Sequence, residues 1–415
     1  MTVMRVMMTR YGAIAVGLLW LIGSEVRAQA GEGLPELPKA GLEASELAVV
    51  VNLDDPLSVR VGDYYRARRG IPEENLIRVH LPPNQSVLAR ERFAEFKAEL
   101  DRLTPARVQA YALAWTRPYR VDCMSVTSAV ALGFDPAYCS KQCGATKPSG
   151  YFNSASHAPW TDLKIRPAML LAGQTFQDVK QLIERGVASD YSYPAGVGYL
   201  LNTSDKHRSV RSIFFPETVK ALGDAFHLER LDADSIKGKK DVLFYFTGLA
   251  KVPDLPSLRF LPGAVADHLT SVGGALTDTK QMSSLRWLEA GATGSYGAVV
   301  EPCNHVTKFP HPGVLMWRYA EGEPLIEAYW KSVAWPGEGV FIGEPLARPF
   351  APRWKPAANQ EPSLQLFSPE WKTLRLETAT SAVGPYRTAE VSPVKPGYND
   401  VKIHLSATGF YRIAF

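Results

Sequence analysis

The run Asp241-Val-Leu-Phe-Tyr-Phe-Thr-Gly248 constrains this chain most. Its interior is unbroken by a charge, and a glycine closes it. A short apolar run of this kind reads as a strand buried on both faces, which is the pattern of a parallel sheet covered by helices. Other segments repeat the theme. Leu47 to Val51, Asn75 to Leu81, Val108 to Trp115, Gly196 to Leu201, Gly294 to Val300 and Val340 to Ile342 read as strands. Between them, amphipathic patterns predict helices from Asp54/Asp55-Pro56 to about Arg68, and over 86–103, 174–187, 216–226, 283–290 and 324–333. Pro56 in a first turn and Gly70 just past the end mark the first helix. Pro262 to Ser271 fits either a strand or a short helix. The alternation predicts an α/β fold with a mainly parallel sheet covered by helices on both faces.

The domain plan follows from shifts in composition. Residues 31–45 are a Pro/Gly linker, and 46–350 form the α/β domain, with a Cys-containing insertion at about 117–167. Residues 351–363 are a second linker. Residues 364–415 then read as short β-strands forming a small module.

Arg5 and Arg10 precede an apolar run from Tyr11 to Ile22, and Ala28-Gln29-Ala30 follows. This is the pattern of a secretory signal peptide cleaved after Ala30. The apolar run is too short for a comfortable membrane span, and no later segment reaches that length. The expected location is the periplasm, the cell surface or the medium. The net charge of +4 over 415 residues leaves no electrostatic footprint for nucleic acid.

Cys123, Cys139, Cys143 and Cys303 make an even set for an oxidising compartment, so two disulfides are expected. The favoured pairing is a local clasp Cys139–Cys143 and a long-range staple Cys123–Cys303. A zinc site using these cysteines with His157 or His305 lacks paired C-x-x-C knuckles. Disulfide formation is also favoured over a nucleophilic Cys303 beside Asn304 and His305.

Open parallel sheets bind ligands beyond the carboxyl ends of their strands. Asp54 follows the first strand there, and Arg117 and Arg120 follow the third. Asp205, His207 and Arg208 follow the Gly196–Leu201 strand, and Thr247 ends the central one. Glu301, Asn304, His305 and Lys308 follow the Gly294–Val300 strand, and Gly343-Glu344 the last. Arg117 with Arg120, or Arg208 with Arg211, would suit a carboxylate. Asp205, His207, Glu301 and His305 are the candidate catalytic groups for a hydrolase. Together with His311 they also have donor types that a metal accepts, but no H-E-x-x-H spacing supports one, and neither metal nor cofactor is expected. Asp267, His268 and Ser271 lie too close in sequence to converge as a triad.

Val50-Val-Asn-Leu-Asp-Asp55, Tyr64-Tyr-Arg-Ala-Arg-Arg-Gly-Ile-Pro-Glu-Glu-Asn75, Pro262-Gly-Ala-Val-Ala266, Gly291-Ala-Thr-Gly-Ser-Tyr-Gly-Ala-Val-Val-Glu-Pro302, Tyr319-Ala-Glu-Gly322, Glu327-Ala-Tyr-Trp330 and Gly343-Glu-Pro-Leu-Ala-Arg-Pro-Phe350 carry a resemblance. They look like a family of exported bacterial proteins found in genomes with the exosortase surface-sorting system. The resemblance spans about residues 46–350 and implies export, not a particular reaction.

A more distant likeness is to gingipain-type, caspase-like cysteine peptidases. In those enzymes His-Gly follows one strand, Ala-Cys ends the next, and a Gly-Asp-Pro lies near the domain end. The matching positions here hold Thr247-Gly248, the region around Thr270-Ser271, and Gly343-Glu344-Pro345. The resemblance implies the scaffold without its catalytic His and Cys. The expected function is therefore a repurposed or non-catalytic scaffold, a pseudoenzyme that binds a peptide, glycan or surface protein at the rim. The alternative is a peptidase or esterase that uses the Asp/His/Glu constellation.

Overall fold

Apolar runs of four to six residues, rich in Val, Leu, Phe and Tyr, become strands because both sheet faces are covered. In the computed structural model, residues 34–277, 279–355, 361–405 and 409–415 are described. The leader expected over 1–30 lies outside the described residues.

Among the described residues, thirteen strands precede the C-terminal module. They are β1 (Leu47–Asn52), β2 (Leu76–Val79), β3 (Val87–Leu88), β4 (Ala110–Leu113), β5 (Arg120–Val121), β6 (Met124–Ser125) and β7 (Ala168–Leu170). β8 (Val197–Leu201), β9 (His227–Leu231), β10 (Val242–Thr247), β11 (Phe260–His268), β12 (Gly294–Ala298) and β13 (Gly339–Gly343) follow. Ten of them form one sheet in the order β2-β1-β4-β7-β13-β12-β11-β10-β8-β9. β2, β1, β4 and β7 pair parallel in turn, as do β12, β11, β10, β8 and β9. The mainly parallel α/β sheet anticipated from the sequence is therefore present.

β13 departs from the pattern. It runs antiparallel to β12, with Gly294 opposite Gly343 and Ala298 opposite Gly339. Its end, Gly343-Glu344, thus lies at the edge where β12 begins, away from the carboxyl-end rim. There Glu344 is buried and bonds Arg69 and Tyr65. This corrects the expectation that Gly343-Glu344 joins the rim.

Nine helices are described: α1 (Pro56–Arg69), α2 (Arg90–Leu103), α3 (Val126–Leu132), α4 (Pro159–Leu163), α5 (Phe176–Ser189), α6 (Phe215–Leu222), α7 (Leu285–Ala290), α8 (Pro312–Ala320) and α9 (Leu325–Ser332). Alternation along β1 shows the two-sided burial. Leu47, Val49 and Val51 join one core cluster with residues of α1, α5, α6, α8 and α9. Ala48 and Val50 join the opposite cluster with residues of α2 and α3.

The insertion corrects the cysteine pairing. α3 and the Gly133 turn reverse the chain, and Cys139 meets Cys123 with a Cα–Cα separation of 5.8 Å. Gln142 and Cys143 then take left-handed backbone conformations, and Cys143 meets Cys303 beyond β12 at 5.3 Å. Both separations are usual for a disulfide. The Cys139–Cys143 and Cys123–Cys303 pairs do not form, because Cys139 is already spent on the local bridge.

After the α/β domain come β14 (Arg353–Lys355), β15 (Ser363–Ser368), β16 (Lys372–Ala379), β17 (Arg387–Val394), β18 (Gly397–Lys402) and β19 (Phe410–Ala414). They form two antiparallel sheets, β14-β15-β18 and β17-β16-β19. Leu364, Leu366, Leu374, Leu376, Val394, Ile403 and Ile413 fill the space between them. Phe367 docks the module by stacking on Phe226 at 4.9 Å and packing on Phe350 at 4.7 Å. The N-terminal strap also reaches it, through a hydrogen bond from Trp354 Nε1 to the Pro35 carbonyl (2.9 Å). Among the described residues, no helix is long and apolar enough to cross a membrane.

Candidate functional site at the carboxyl-end rim

β8, β10 and β11 lie side by side, and their carboxyl ends converge on Arg208. Thr247 ends β10, and Gly248 turns the chain away. A Cβ on Gly248 would overlap the Arg208 carbonyl oxygen, so only glycine allows this approach. Thr203 Oγ1 donates to the Gly248 carbonyl (2.6 Å), which ties the loop after β8 to the end of β10.

The Arg208 guanidinium is held from two sides. Nη1 donates to Asp205 Oδ2 (2.7 Å), and Nε donates to Thr270 Oγ1 (2.9 Å), just past β11. Thr270 in turn donates to Gln281 Oε1 (2.9 Å), which also accepts from the Val272 amide (2.9 Å). Nη2 makes no hydrogen bond among the described residues. The Arg208 side chain is 25% exposed, so a ligand can reach that free edge. Burial pushes the Asp205 carboxyl up, but hydrogen bonds and charge from Arg208 outweigh it and hold it below the usual range. The pair is therefore ionised and oriented, as a carboxylate-gripping arginine requires.

Next to Thr247 in register is His268, which is buried. Trp287 Nε1 donates to its Nδ1 (2.9 Å), and its Nε2 pairs with the Met282 carbonyl (3.1 Å). Burial lowers its pKa to about 4. Both ring nitrogens are occupied and the imidazole is neutral. Asp267 points to the opposite face, as successive strand residues must. There it forms a buried ion pair with Arg211, Oδ1 to Nη1 at 2.5 Å. Arg211 is thus removed from the rim, and Asp267 and His268 cannot act as one unit.

The other candidates are dispersed. Asp54 is exposed and bonds His80 Nδ1 (2.8 Å). Arg117 is half-buried, and its side chain makes no hydrogen bond or ion pair among the described residues. Arg120 bonds the Asp122 carbonyl. Tyr119 Oη lies 3.2 Å from Thr277 Oγ1, which joins this loop to the chain after β11.

Glu301 accepts from the Cys303 amide (2.9 Å), and Asn304 stands in a left-handed conformation. His305 Nε2 pairs with the Cys143 carbonyl (2.7 Å), and its ring lies against Trp335. His207 is exposed. No hydrogen bond or ion pair links any two of Asp205, His207, Glu301 and His305 among the described residues. Lys308, expected at the rim, is buried. Its Nζ pairs with Glu338 Oε2 (2.6 Å) and with Ser140 Oγ, so it is a structural cation and not a ligand contact.

Sequence reasoning missed the Thr270–Gln281 support of Arg208. Gln281 lies in a polar loop without periodicity, so no local signal marks it.

No family model matches the chain, and no curated protein matches it. Two solved structures are similar. One is titled as the structure of a protease, with 8% identity and a TM-score of 0.40, covering 88% of this chain and 98% of that one. The other is a complex of Porphyromonas gingivalis RgpB pro- and mature domains, with 9% identity and a TM-score of 0.38, covering 87% and 94%. Likeness at this level concerns the course of the chain, and the functional reading rests on the residues of the rim.

Proposed function

We propose that this is an exported, non-catalytic binding protein that holds the carboxylate of a peptide or surface-protein ligand on Arg208. The observation that carries the reading is the fixed guanidinium, braced by Asp205 and Thr270 with one edge free. Rigid bracing lowers the cost of ordering a long side chain on binding. Arg117 offers a second cation without a hydrogen-bond or ion-pair partner among the described residues. Export is supported by the leader pattern in the sequence and by the two disulfides. The test is fluorescence-anisotropy binding of a random peptide pool and its carboxyl-amidated counterpart. Arg208→Gln is expected to abolish the preference for free carboxylates. Equal binding of both pools by the unmodified protein would sink the proposal.

A further inference from the structure

A second cleft lies away from the rim, where the C-terminal module meets the α/β domain. It encloses about 310 Å³, at the small end of the range for ligand pockets. Both units contribute to its walls, α8 and the turn after it on one side and β15 and β16 on the other. Phe367, half-buried, gives it an apolar wall, and Arg318, Glu321, Glu323 and Lys372 surround it with polar groups.

Glu323 is the informative residue. It is 1% exposed and lines the cleft. Its Oε1 forms ion pairs with Lys331 Nζ at 2.9 Å and Arg318 Nη1 at 3.6 Å, while its Oε2 is buried without a hydrogen-bond partner among the described residues. A buried polar atom left unpaired is costly, and a bound group that completes it recovers that cost.

Charge decides which group. Lys39, Arg318, Lys331 and Lys372 are balanced by Glu46, Glu321, Glu323 and Glu327, each cation within 4 Å of at least one of these carboxylates. Lys331 already bridges Glu323 and Glu327, and it would repel a metal ion held between them and His157, whose ligand atoms lie within 4.8 Å of one another. A ligand with a net charge would upset the balance in a half-enclosed site. A hydroxyl does not. It donates to a carboxylate and accepts from a carboxylic acid, so it serves Glu323 in either state. Burial raises the pKa of Glu323, against the pull of the Lys331 charge.

We infer that this seam cleft binds a neutral polyol of monosaccharide size, with its hydroxyls on Glu323, Arg318 and Lys372 and its apolar face on Phe367. The site stands apart from Arg208 and does not depend on the reading of the rim.

The test is saturation-transfer NMR and calorimetry on the exported chain. The probes are D-glucose, D-galactose, D-mannose and N-acetyl-D-glucosamine at millimolar concentration, with free glycine, lysine and phenylalanine beside them. At least one sugar is expected to bind and the amino acids are not. Glu323→Met is expected to weaken the sugar by about tenfold or more, the loss of a hydrogen bond to a charged group. Ala40→Phe serves as a second variant that leaves Glu323 in place. Ala40 also lines the cleft, and the larger side chain is introduced to fill it. Arg208→Gln should leave sugar binding unchanged. No sugar binding, binding of amino acids alone, sugar binding that survives Ala40→Phe, or sugar binding lost in Arg208→Gln would each overturn the assignment.

Discussion

Trp287 donates its indole N–H to Nδ1 of His268 at 2.9 Å, and both side chains are buried. Burial keeps this histidine neutral beside Thr247, and the bond fixes its ring. Its consequence is a defined pH dependence. Unfolded, the imidazole titrates near its ordinary value of 6.5; folded, burial lowers this to about 4. Below pH 6.5 the unfolded state takes up a proton that the folded state refuses until pH 4, so stability falls through that window.

Asp267, raised by burial to about 6, works in the opposite sense. The contribution of His268 is therefore isolated by comparison with His268→Gln, whose amide can keep both hydrogen bonds. Denaturation of the two proteins at a series of pH values should show the wild type losing about 3 kcal/mol relative to the variant between pH 6.5 and 4. A constant difference across that range would show that His268 titrates normally.

Lys308 and Glu338 form a buried pair, 2% and 3% exposed. Lys308→Met leaves the carboxylate buried without its cation. Urea denaturation should report a loss of about 3–5 kcal/mol. Lys308→Met with Glu338→Leu should recover much of it. A loss below 1 kcal/mol for the single variant, a figure typical of exposed pairs, would place Lys308 at the surface.

Non-reducing peptide mapping should recover Cys123 with Cys139 and Cys143 with Cys303. The second bridge spans 160 residues, and in the chain-entropy model its removal by Cys143→Ser with Cys303→Ser costs about 5 kcal/mol. Recovery of a Cys139–Cys143 peptide would contradict the described insertion.

Gly248→Ala places a methyl group against the Arg208 carbonyl. The loop carrying Arg208 must move, at a cost of about 1–3 kcal/mol or more. Thermal unfolding should show the loss, and carboxylate binding should fall with it. Unchanged binding would mean that Arg208 is not the anchor.

The covered sheet was legible because apolar runs such as Val242–Phe246 and Leu47–Val51 declare burial on both faces. Segments without that signal were missed. β7 is three residues long, between Pro167 and Gly173. β9 is an exposed edge strand that carries His227, Glu229 and Arg230. α8 follows His311-Pro312 and is apolar on most sides. At the rim, strand ends marked Arg208, Asp205 and Thr247 as candidates. The burial of Arg211 and Lys308 was not legible, because each is neutralised by a carboxylate distant in sequence, Asp267 and Glu338.

The most direct test of the central claim exposes a diverse peptide library to the purified protein and reads both retained and cleaved peptides by mass spectrometry. The account predicts intact peptides, enriched for accessible carboxylates, and loss of that enrichment in Arg208→Gln. Reproducible cleavage that disappears in a Glu301→Gln, His305→Ala double variant would contradict it and establish a hydrolase.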